Sequence, residues 1–208
     1  MDKRFRKSFV LFALIAILVQ GNSLVGLSQD WEALKGAAEG IRTLEAGFTQ
    51  KKHLKILKAP LISKGRLYYK APDLMRWEYF SPLRSVMLKD GQTVNAYQFL
   101  EGAWKADFSQ AVEVRRMIFA EINNWLKGRF NEATAFTPSY SSGPPVRITL
   151  TPSDEFKRFL NRIELTFSER PGIIRSMEMI ESDEAKTRIE FTNVEINSGI
   201  PAGVFEKP

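Results

Sequence analysis

Apolar and polar residues alternate along much of the chain between Phe48 and Tyr97. Turn residues such as Pro72 and the Asp90-Gly91 pair divide this region into short segments. Alternating segments bounded by turn residues are typical of consecutive antiparallel strands. The pattern predicts strands over residues 48–57, 61–70, 74–80, 84–89, 93–99 and 104–108.

Two other segments place apolar residues three and four positions apart, which is the spacing of a helix. Asp30 to Glu45 is the first, with Asp30 as its N-cap. Gln110 to Lys127 is the second, and its predicted end is Gly128. The apolar stripe of this second helix contains Val114, Met117, Ile118, Ile122, Trp125 and Leu126.

The last third of the chain returns to a period of two. Strands are predicted over residues 146–151, 161–168, 173–180 and 186–194, after a Ser-, Gly- and Pro-rich loop over residues 138–145. A single sheet of about ten strands tends to curl, and a helix can cover its apolar concave face. We therefore expect an α+β fold: a strongly curved, open antiparallel β-sheet, or half-barrel, with helices packed as a lid on the concave face.

The N-terminal residues have the composition of an export signal. Residues 2–7 are mostly basic, and residues 9–19 are uncharged and apolar but short for a membrane span. Small residues follow, and cleavage after Ser28 or after Ser23 fits them. We predict a secretory signal peptide at residues 1–28 and a single domain at residues 29–208; an uncleaved N-terminal anchor is the alternative.

Composition argues against most catalytic sites. The chain has no cysteine and one histidine, His53, so counting excludes a two-histidine or cysteine metal site. No Gly-x-Ser-x-Gly motif and no phosphate-binding loop occurs. A carboxylate pair for glycoside hydrolysis stays formally open, although no pair stands out. We predict no enzyme, no cofactor and no metal.

The net charge of the chain gives no reason to expect a nucleic acid partner. The leader accounts for +3 of the net charge of +6, which leaves only +3 for residues 29–208. The basic residues include a cluster of Lys51, Lys52, Lys55 and Lys58, which could contact acidic lipid head groups or a partner. A solvated strand that resists edge-to-edge pairing explains the same cluster.

Large apolar side chains share faces of two neighbouring predicted strands. Leu67 and Tyr69 lie on one face of the first strand, and Met75, Trp77 and Tyr79 lie on one face of the second. Such side chains can fill a core or line a cavity for an apolar ligand. The candidate lipid-binding cavity comprises Leu67, Tyr69, Met75, Trp77, Tyr79, Ile118, Ile122 and Trp125.

Several short motifs in a fixed order add a family resemblance. They are Phe48-x-Gln50, Ser63-x-Gly65-x-Leu67, Pro72-x-Leu74-x-Arg76-Trp77-x-Tyr79, Pro82, Asp90-Gly91 followed by Tyr97, Leu150-x-Pro152, and Ile189-x-Phe191-x-Asn193-Val194 with Phe205. With these motifs the chain resembles the LolA-type periplasmic carriers of outer-membrane lipoproteins. The resemblance covers nearly the whole of residues 29–208.

The resemblance implies a monomeric periplasmic chaperone that shields the acyl chains of lipoproteins in a hydrophobic cavity. It implies three partners: an acylated lipoprotein or other lipid cargo, an ATP-driven release complex at the inner membrane, and an acceptor at the outer membrane. The family's cavity strand maps to Pro72, Met75 and Trp77. The alternatives are a related carrier of a glycolipid or polyene-type lipid, and a secreted lipid-binding or sensor domain that transports nothing.

One position departs from the family pattern. The resemblance implies an arginine just before Pro72, where it would help to latch the helical lid, but this chain has Ala71 there. Lys70 lies one residue earlier, and a shift of one residue along a strand turns a side chain to the other face. Lys70 is therefore not expected to replace that arginine.

Overall fold

The computed structural model of the protein describes residues 32–130, 135–141 and 143–208. In these residues eleven antiparallel strands form one open, curved sheet, which confirms the predicted α+β fold class. The strands are β1 Thr43–Leu54, β2 Leu61–Lys70, β3 Leu74–Ser81, β4 Ser85–Asp90, β5 Thr93–Leu100, β6 Ala103–Ala106, β7 Phe136–Ser141, β8 Arg147–Pro152, β9 Arg162–Phe167, β10 Ile174–Ser182 and β11 Ala185–Ile196. The predicted signal peptide at residues 1–28 lies outside the described residues.

The strand order is β6-β5-β4-β3-β2-β1-β11-β10-β9-β8-β7. The first and last strands therefore pair with each other at the centre of the sheet, while β6 and β7 form its edges. Each half of the sheet is a run of neighbours in sequence, so each half is built from hairpins. The half from β1 to β6 contains the six strands predicted before the second helix, although β1 spans Thr43–Leu54 rather than residues 48–57.

The first helix, α1, covers residues 32–39 of the described chain and ends well before the predicted Glu45. Residues from Thr43 onward belong instead to β1, where Leu44, Ala46 and Phe48 are buried at every second position. Ile41 and Leu44 fit a helical spacing by coincidence, because an alternating strand follows the helix after only a short turn. The prediction of a helix to Glu45 was wrong for its last third.

The predicted loop over residues 138–145 was also wrong in part. Its first residues belong to β7, in which Pro138 lies opposite Leu150 of β8. Proline gives no backbone N–H to a ladder, and it is tolerated here because β7 is an edge strand.

The second helix, α2, spans Gln110–Leu126 and packs on the concave face of the sheet. Ile118, Phe119, Ile122 and Trp125 are buried in the same core as the apolar residues of β1, β2, β3, β9 and β10. The second predicted helix is therefore confirmed to within one residue at its end. No helix in the described ranges has the length and apolar content that crossing a membrane requires.

Helix α1 lies beside the end of α2 and the turn between β9 and β10. Close approach requires glycine at both contacts: a Cβ on Gly128 would lie 2.9 Å from the Lys35 Cα, and one on Gly172 would lie 3.0 Å from the Ala38 N. Both glycines also have positive φ, which other residues rarely adopt. The position of α1 is thus set by two backbone contacts.

Candidate functional site

A cavity of about 540 Å³ lies between α2 and the concave face of the sheet. Its wall is formed by strands of both halves of the sheet and by the face of α2 that carries Ile118, Phe119 and Ile122. A volume of several hundred Å³ with mostly apolar walls is typical of small-molecule and lipid sites. A second, much smaller cavity of about 30 Å³ lies nearer the start of β1, and Ile122 lines both.

The predicted site residues separate into three groups. Trp77, Tyr79, Ile118 and Ile122 line the larger cavity. Leu67 and Trp125 line the smaller one, together with Ile122. Tyr69 and Met75 line neither cavity and are completely buried in the core.

An aromatic cluster lies at the floor of the larger cavity, and its members Trp77 and Tyr79 line the cavity wall. The Trp77 ring lies 4.5 Å from the Phe48 ring and 6.0 Å from the Phe191 ring, and Tyr79 packs edge-on against Phe48 at 5.1 Å. These rings come from β3, β1 and β11, which lie within four adjacent strands of the sheet, so the floor crosses its centre. Rings packed in this way stabilise one another beyond the burial of their area.

Tyr79 brings a polar group to this floor. Its hydroxyl donates a hydrogen bond of 2.7 Å to the Gln50 Oε1, and both residues line the larger cavity. Burial raises the pKa of Tyr79 to about 12, so the phenol is neutral at physiological pH. The floor is therefore uncharged under working conditions.

Charged side chains line the larger cavity at its mouth. The Lys52 Nζ pairs with Glu181 at 2.8 Å, and the Thr187 hydroxyl donates to the same carboxylate at 2.6 Å. The guanidinium of Arg84 lies over the rings of Phe99 and Trp104, at 4.4 and 5.2 Å from their centres. The cavity thus has an apolar floor and an entrance that carries charged side chains.

Sequence reasoning missed the wall on the far half of the sheet. Met177 and Met179 of β10 and Ile189 of β11 line the larger cavity, as do Phe159 and Leu160 from the turn before β9. The alternation of Met177 and Met179 with the polar residues Ser176 and Glu178 is visible in the sequence. What the sequence does not show is that β10 lies across the concave face from α2.

A network around Asp73 joins the β2–β3 turn to the end of α2. The Asp73 Oδ1 accepts hydrogen bonds from the Lys127 Nζ at 2.6 Å and from the Asn123 Nδ2 at 3.2 Å. The Lys89 Nζ lies 3.8 Å from the same oxygen. The hydrogen bond from Lys127 is the main reason why the pKa of Asp73 lies below its usual value. We call the contacts of Asp73 with Asn123 and Lys127 the clasp.

The clasp occupies the neighbourhood where the resemblance implied a latch. Lys70 is exposed while Tyr69 is buried, so its side chain points away from the lid, as expected from the strand period. Ala71 offers no charge. The polar tie to α2 comes instead from the residue after Pro72. In the described ranges, no group of three or more His, Cys, Asp or Glu side chains could hold a metal ion.

Comparison with known proteins agrees with this geometry. The profile of the family described as "Outer membrane lipoprotein carrier protein LolA" matches residues 39–207. The chain belongs to the LolA family. The expected family is thereby confirmed, and the match includes every strand of the sheet and the whole of α2.

Two curated members of the LolA family show how distant the relationship is. The outer-membrane lipoprotein carrier protein of Yersinia enterocolitica is 28% identical over 163 residues, which cover 74% of this chain and 79% of that protein. The protein of the same name from Dechloromonas aromatica is 24% identical over 200 residues, or 96% and 89% of the two chains. Among solved structures, a DUF1329 family protein from Desulfovibrio piger has the same fold, with a TM-score of 0.52, 11% identity, and coverage of 86% of this chain and 97% of that one.

Proposed function

We propose that the protein is a periplasmic carrier that shields the acyl chains of lipoproteins in the larger cavity and hands them to an acceptor at the outer membrane. The observation that carries this proposal is the cavity of about 540 Å³ between the concave sheet and α2, in a member of the LolA family. The relatives named above are lipoprotein carriers by name, which supports a binding role rather than an enzymatic one. Cleavage of residues 1–28 on export is part of the same proposal.

Acyl chains need such a carrier because water opposes their transfer. Each methylene group kept from water contributes about 0.8 kcal/mol, so a cargo with on the order of 40 methylenes involves roughly 30 kcal/mol. A rigid cavity that recovered all of this free energy would not release its cargo. Part of the binding free energy must therefore be used to change the conformation of the protein.

Helix α2 supplies that change. Its apolar face, with Ile118, Phe119 and Ile122, lies against the concave face of the sheet. A lipoprotein with three acyl chains needs more space than a single small-molecule ligand. Binding of such a cargo therefore has to displace the apolar face of α2 and break the clasp. Displacement lowers the apparent affinity by the free energy of opening, which makes release possible.

Direction has to come from partners, because the sequence has no phosphate-binding loop with which to use a nucleotide. We propose an ATP-driven complex at the inner membrane as the donor and an outer-membrane protein as the acceptor. Both would act on the lid, since opening and closing of α2 sets the affinity for cargo.

The wall of the smaller cavity contains a polar group that a ligand could satisfy. Trp125 is buried, and its Nε1 has no hydrogen-bond partner within the described residues. A buried donor without a partner lowers stability by about 1–3 kcal/mol. An ester carbonyl of an acylated cargo would remove that cost once α2 moves and the two cavities join.

A substitution that fills the larger cavity tests the proposal. Ser63 is a small, half-buried residue of β2 in the cavity wall. Ser63→Phe should reduce the binding of a fluorescent acyl probe at least about tenfold, because the new ring occupies the space of the ligand. The same variant should release less lipoprotein from inner-membrane vesicles.

Ser139→Phe is the matched control, because Ser139 is exposed on β7 and lines neither cavity. It should bind the probe as the wild type does. Equal probe binding by Ser63→Phe and the wild type, with both folded, would show that the acyl chain lies elsewhere. Mass spectrometry of lipids that co-purify from the periplasm would then identify the natural cargo.

A further inference from the structure

The exposed large apolar side chains are concentrated at one end of the sheet. The described residues include nine such side chains, and eight of them lie where β1, β3 and β5 end and β2, β4 and β9 begin. These eight are Ile56, Leu57, Leu61, Ile62, Phe80, Leu83, Leu100 and Phe159. The ninth, Phe108, follows the far end of β6. Single exposed apolar residues are ordinary, but a concentration of them at one end of the sheet indicates a contact surface.

The same end holds the mouth of the larger cavity. Leu83 is 78% exposed and Leu100 is 47% exposed, yet both line the cavity, so the cavity opens between them. The β1–β2 hairpin extends beside this mouth, with Ile56 at its tip 88% exposed. We call Ile56, Leu57, Leu61, Ile62 and Leu83 the rim.

Unpaired positive charge accompanies the rim. Lys58, Lys64 and Arg84 form no ion pair with any described residue, whereas Lys52 and Lys55 are paired with Glu181 and Glu184. Of the other acidic side chains at this end, those at positions 101, 154 and 155 lie in turns away from the β1–β2 hairpin, whereas Asp183 lies in the β10–β11 turn beside it. The hairpin half of the mouth is therefore both apolar and basic.

We propose that the rim is a docking surface for a bilayer that contains anionic phospholipids. Apolar side chains at the tip of a hairpin can enter the boundary between head groups and acyl chains, and the aliphatic stems of lysines follow them while the ammonium groups pair with phosphates. Each basic residue near an anionic membrane strengthens binding about fivefold. Unpaired positive charge beside exposed apolar side chains is complementary to the surface of such a bilayer, which is anionic at the head groups and apolar beneath them.

Docking in this orientation places the cavity mouth on the bilayer. An acyl chain could then pass between membrane and cavity along the rim without entering bulk water. This last step rests on the proposed carrier function, whereas the docking itself does not.

Vesicle flotation of the mature protein tests the docking. The probes are vesicles of phosphatidylcholine alone and of phosphatidylcholine with phosphatidylglycerol. The wild type should float with the anionic vesicles and lose this binding as salt is added. Replacing Ile56 and Leu57 together by Ser should weaken binding at least about tenfold, because two exposed apolar side chains are removed. Replacing Lys58 and Lys64 together by Glu should abolish the preference for anionic vesicles.

Two matched controls lie away from the rim. Phe108→Ser removes an apolar side chain that is 81% exposed, and Lys70→Glu reverses an exposed charge at the opposite end of β2. Both should float as the wild type does. All of these positions are on the surface, so urea unfolding should be unchanged in every variant.

Three results would overturn the proposal. In the first, the wild type does not float with anionic vesicles. In the second, the controls lose as much vesicle binding as the rim variants do. The third result is that the rim variants float normally but no longer receive cargo from the inner-membrane complex. The last would assign the rim to a protein partner. Acyl-probe binding in solution distinguishes a failure of membrane docking from a failure of the carrier function. The rim variants should bind the probe as the wild type does, whereas Ser63→Phe should not.

Discussion

The ring of Phe48 lies over Gly65, its partner across the β1–β2 ladder. A Cβ at position 65 would collide with the Phe48 ring and with the Glu78 carbonyl oxygen of β3. Because Phe48 in turn packs on Trp77 and Tyr79, the aromatic floor of the larger cavity depends on the missing side chain. A glycine inside a strand often marks such a close approach.

Gly65→Ala should therefore lower the free energy of unfolding by about 1–3 kcal/mol, since the ring and the neighbouring backbone must both shift. Urea unfolding measures the loss, and acyl-probe binding should weaken as the floor moves. Gly36→Ala is the matched control: a Cβ there meets nothing within 4 Å, and alanine favours the helix by about 1 kcal/mol. Equal effects of the two substitutions would contradict this account of Gly65.

At the scale of elements, the clasp is the polar contact that fixes the end of α2 to the sheet. Asn123 and Lys127 are both largely buried, and Asp73 is partly exposed in the β2–β3 turn. Lys89 beside them is also buried, and burial lowers its pKa. Removal of the carboxylate would leave two cations close together without their counterion.

Asp73→Asn should lower stability at neutral pH by about 1–3 kcal/mol. The pKa of Asp73 is lower in the folded protein than in the unfolded chain, so its contribution is complete above the ordinary value of about 4 and is lost as the pH falls through the folded pKa. The difference in urea midpoint between wild type and variant should therefore shrink in acid. A difference independent of pH would argue against the charged contact.

The same variant bears on the lid. If opening of α2 limits the apparent affinity, a weaker clasp should raise acyl-probe affinity even though the protein is less stable. Asp154→Asn, in an exposed loop pair with Lys157, should change neither property.

The elements that sequence could and could not predict differ in a physical way. Strands β2 and β3 were clear because their alternation is regular and one face is buried, as in Leu67 and Tyr69. Strand β7 was missed because Pro138 argues against a strand, and only its place at the sheet edge makes the proline harmless. The first helix was extended too far because helical and alternating spacings overlap around Ile41 and Leu44.

The candidate site shows the same division. A period of two places Met75, Trp77 and Tyr79 on one face of the strand. Trp77 and Tyr79 line the larger cavity, whereas Met75 is buried in the core. Whether a residue lines a cavity or fills a core depends on how closely α2 approaches each point of the sheet. The clasp likewise depends on a contact between residues about fifty positions apart, which no local pattern encodes.

At the scale of the whole molecule, the pairing of β1 with β11 makes the two halves of the sheet depend on each other. The larger cavity is lined by residues from both halves and by α2, so a ligand in it would contact both halves of the sheet and the helix. Binding to the native state alone stabilises a protein by mass action over its whole cooperative unit. The unfolding temperature of the entire chain should therefore report on occupancy of the cavity.

A long-chain fatty acid at about one hundred times its dissociation constant should add about 2.7 kcal/mol to the free energy of unfolding. For a protein of this size, about 2–4 °C follows from each kcal/mol, so the midpoint should rise by about 5–10 °C in one transition. Calorimetry of the mature protein measures the shift. Ser63→Phe should not show this rise in the unfolding midpoint, because its cavity is filled. The variant in which Ile56 and Leu57 are both replaced by Ser should show the full rise, because the rim lies outside the cavity. The contrary result is two separate unfolding transitions, of which the fatty acid raises the temperature of only one. The ligand would then contact only one half of the sheet, and the cavity would not connect both halves.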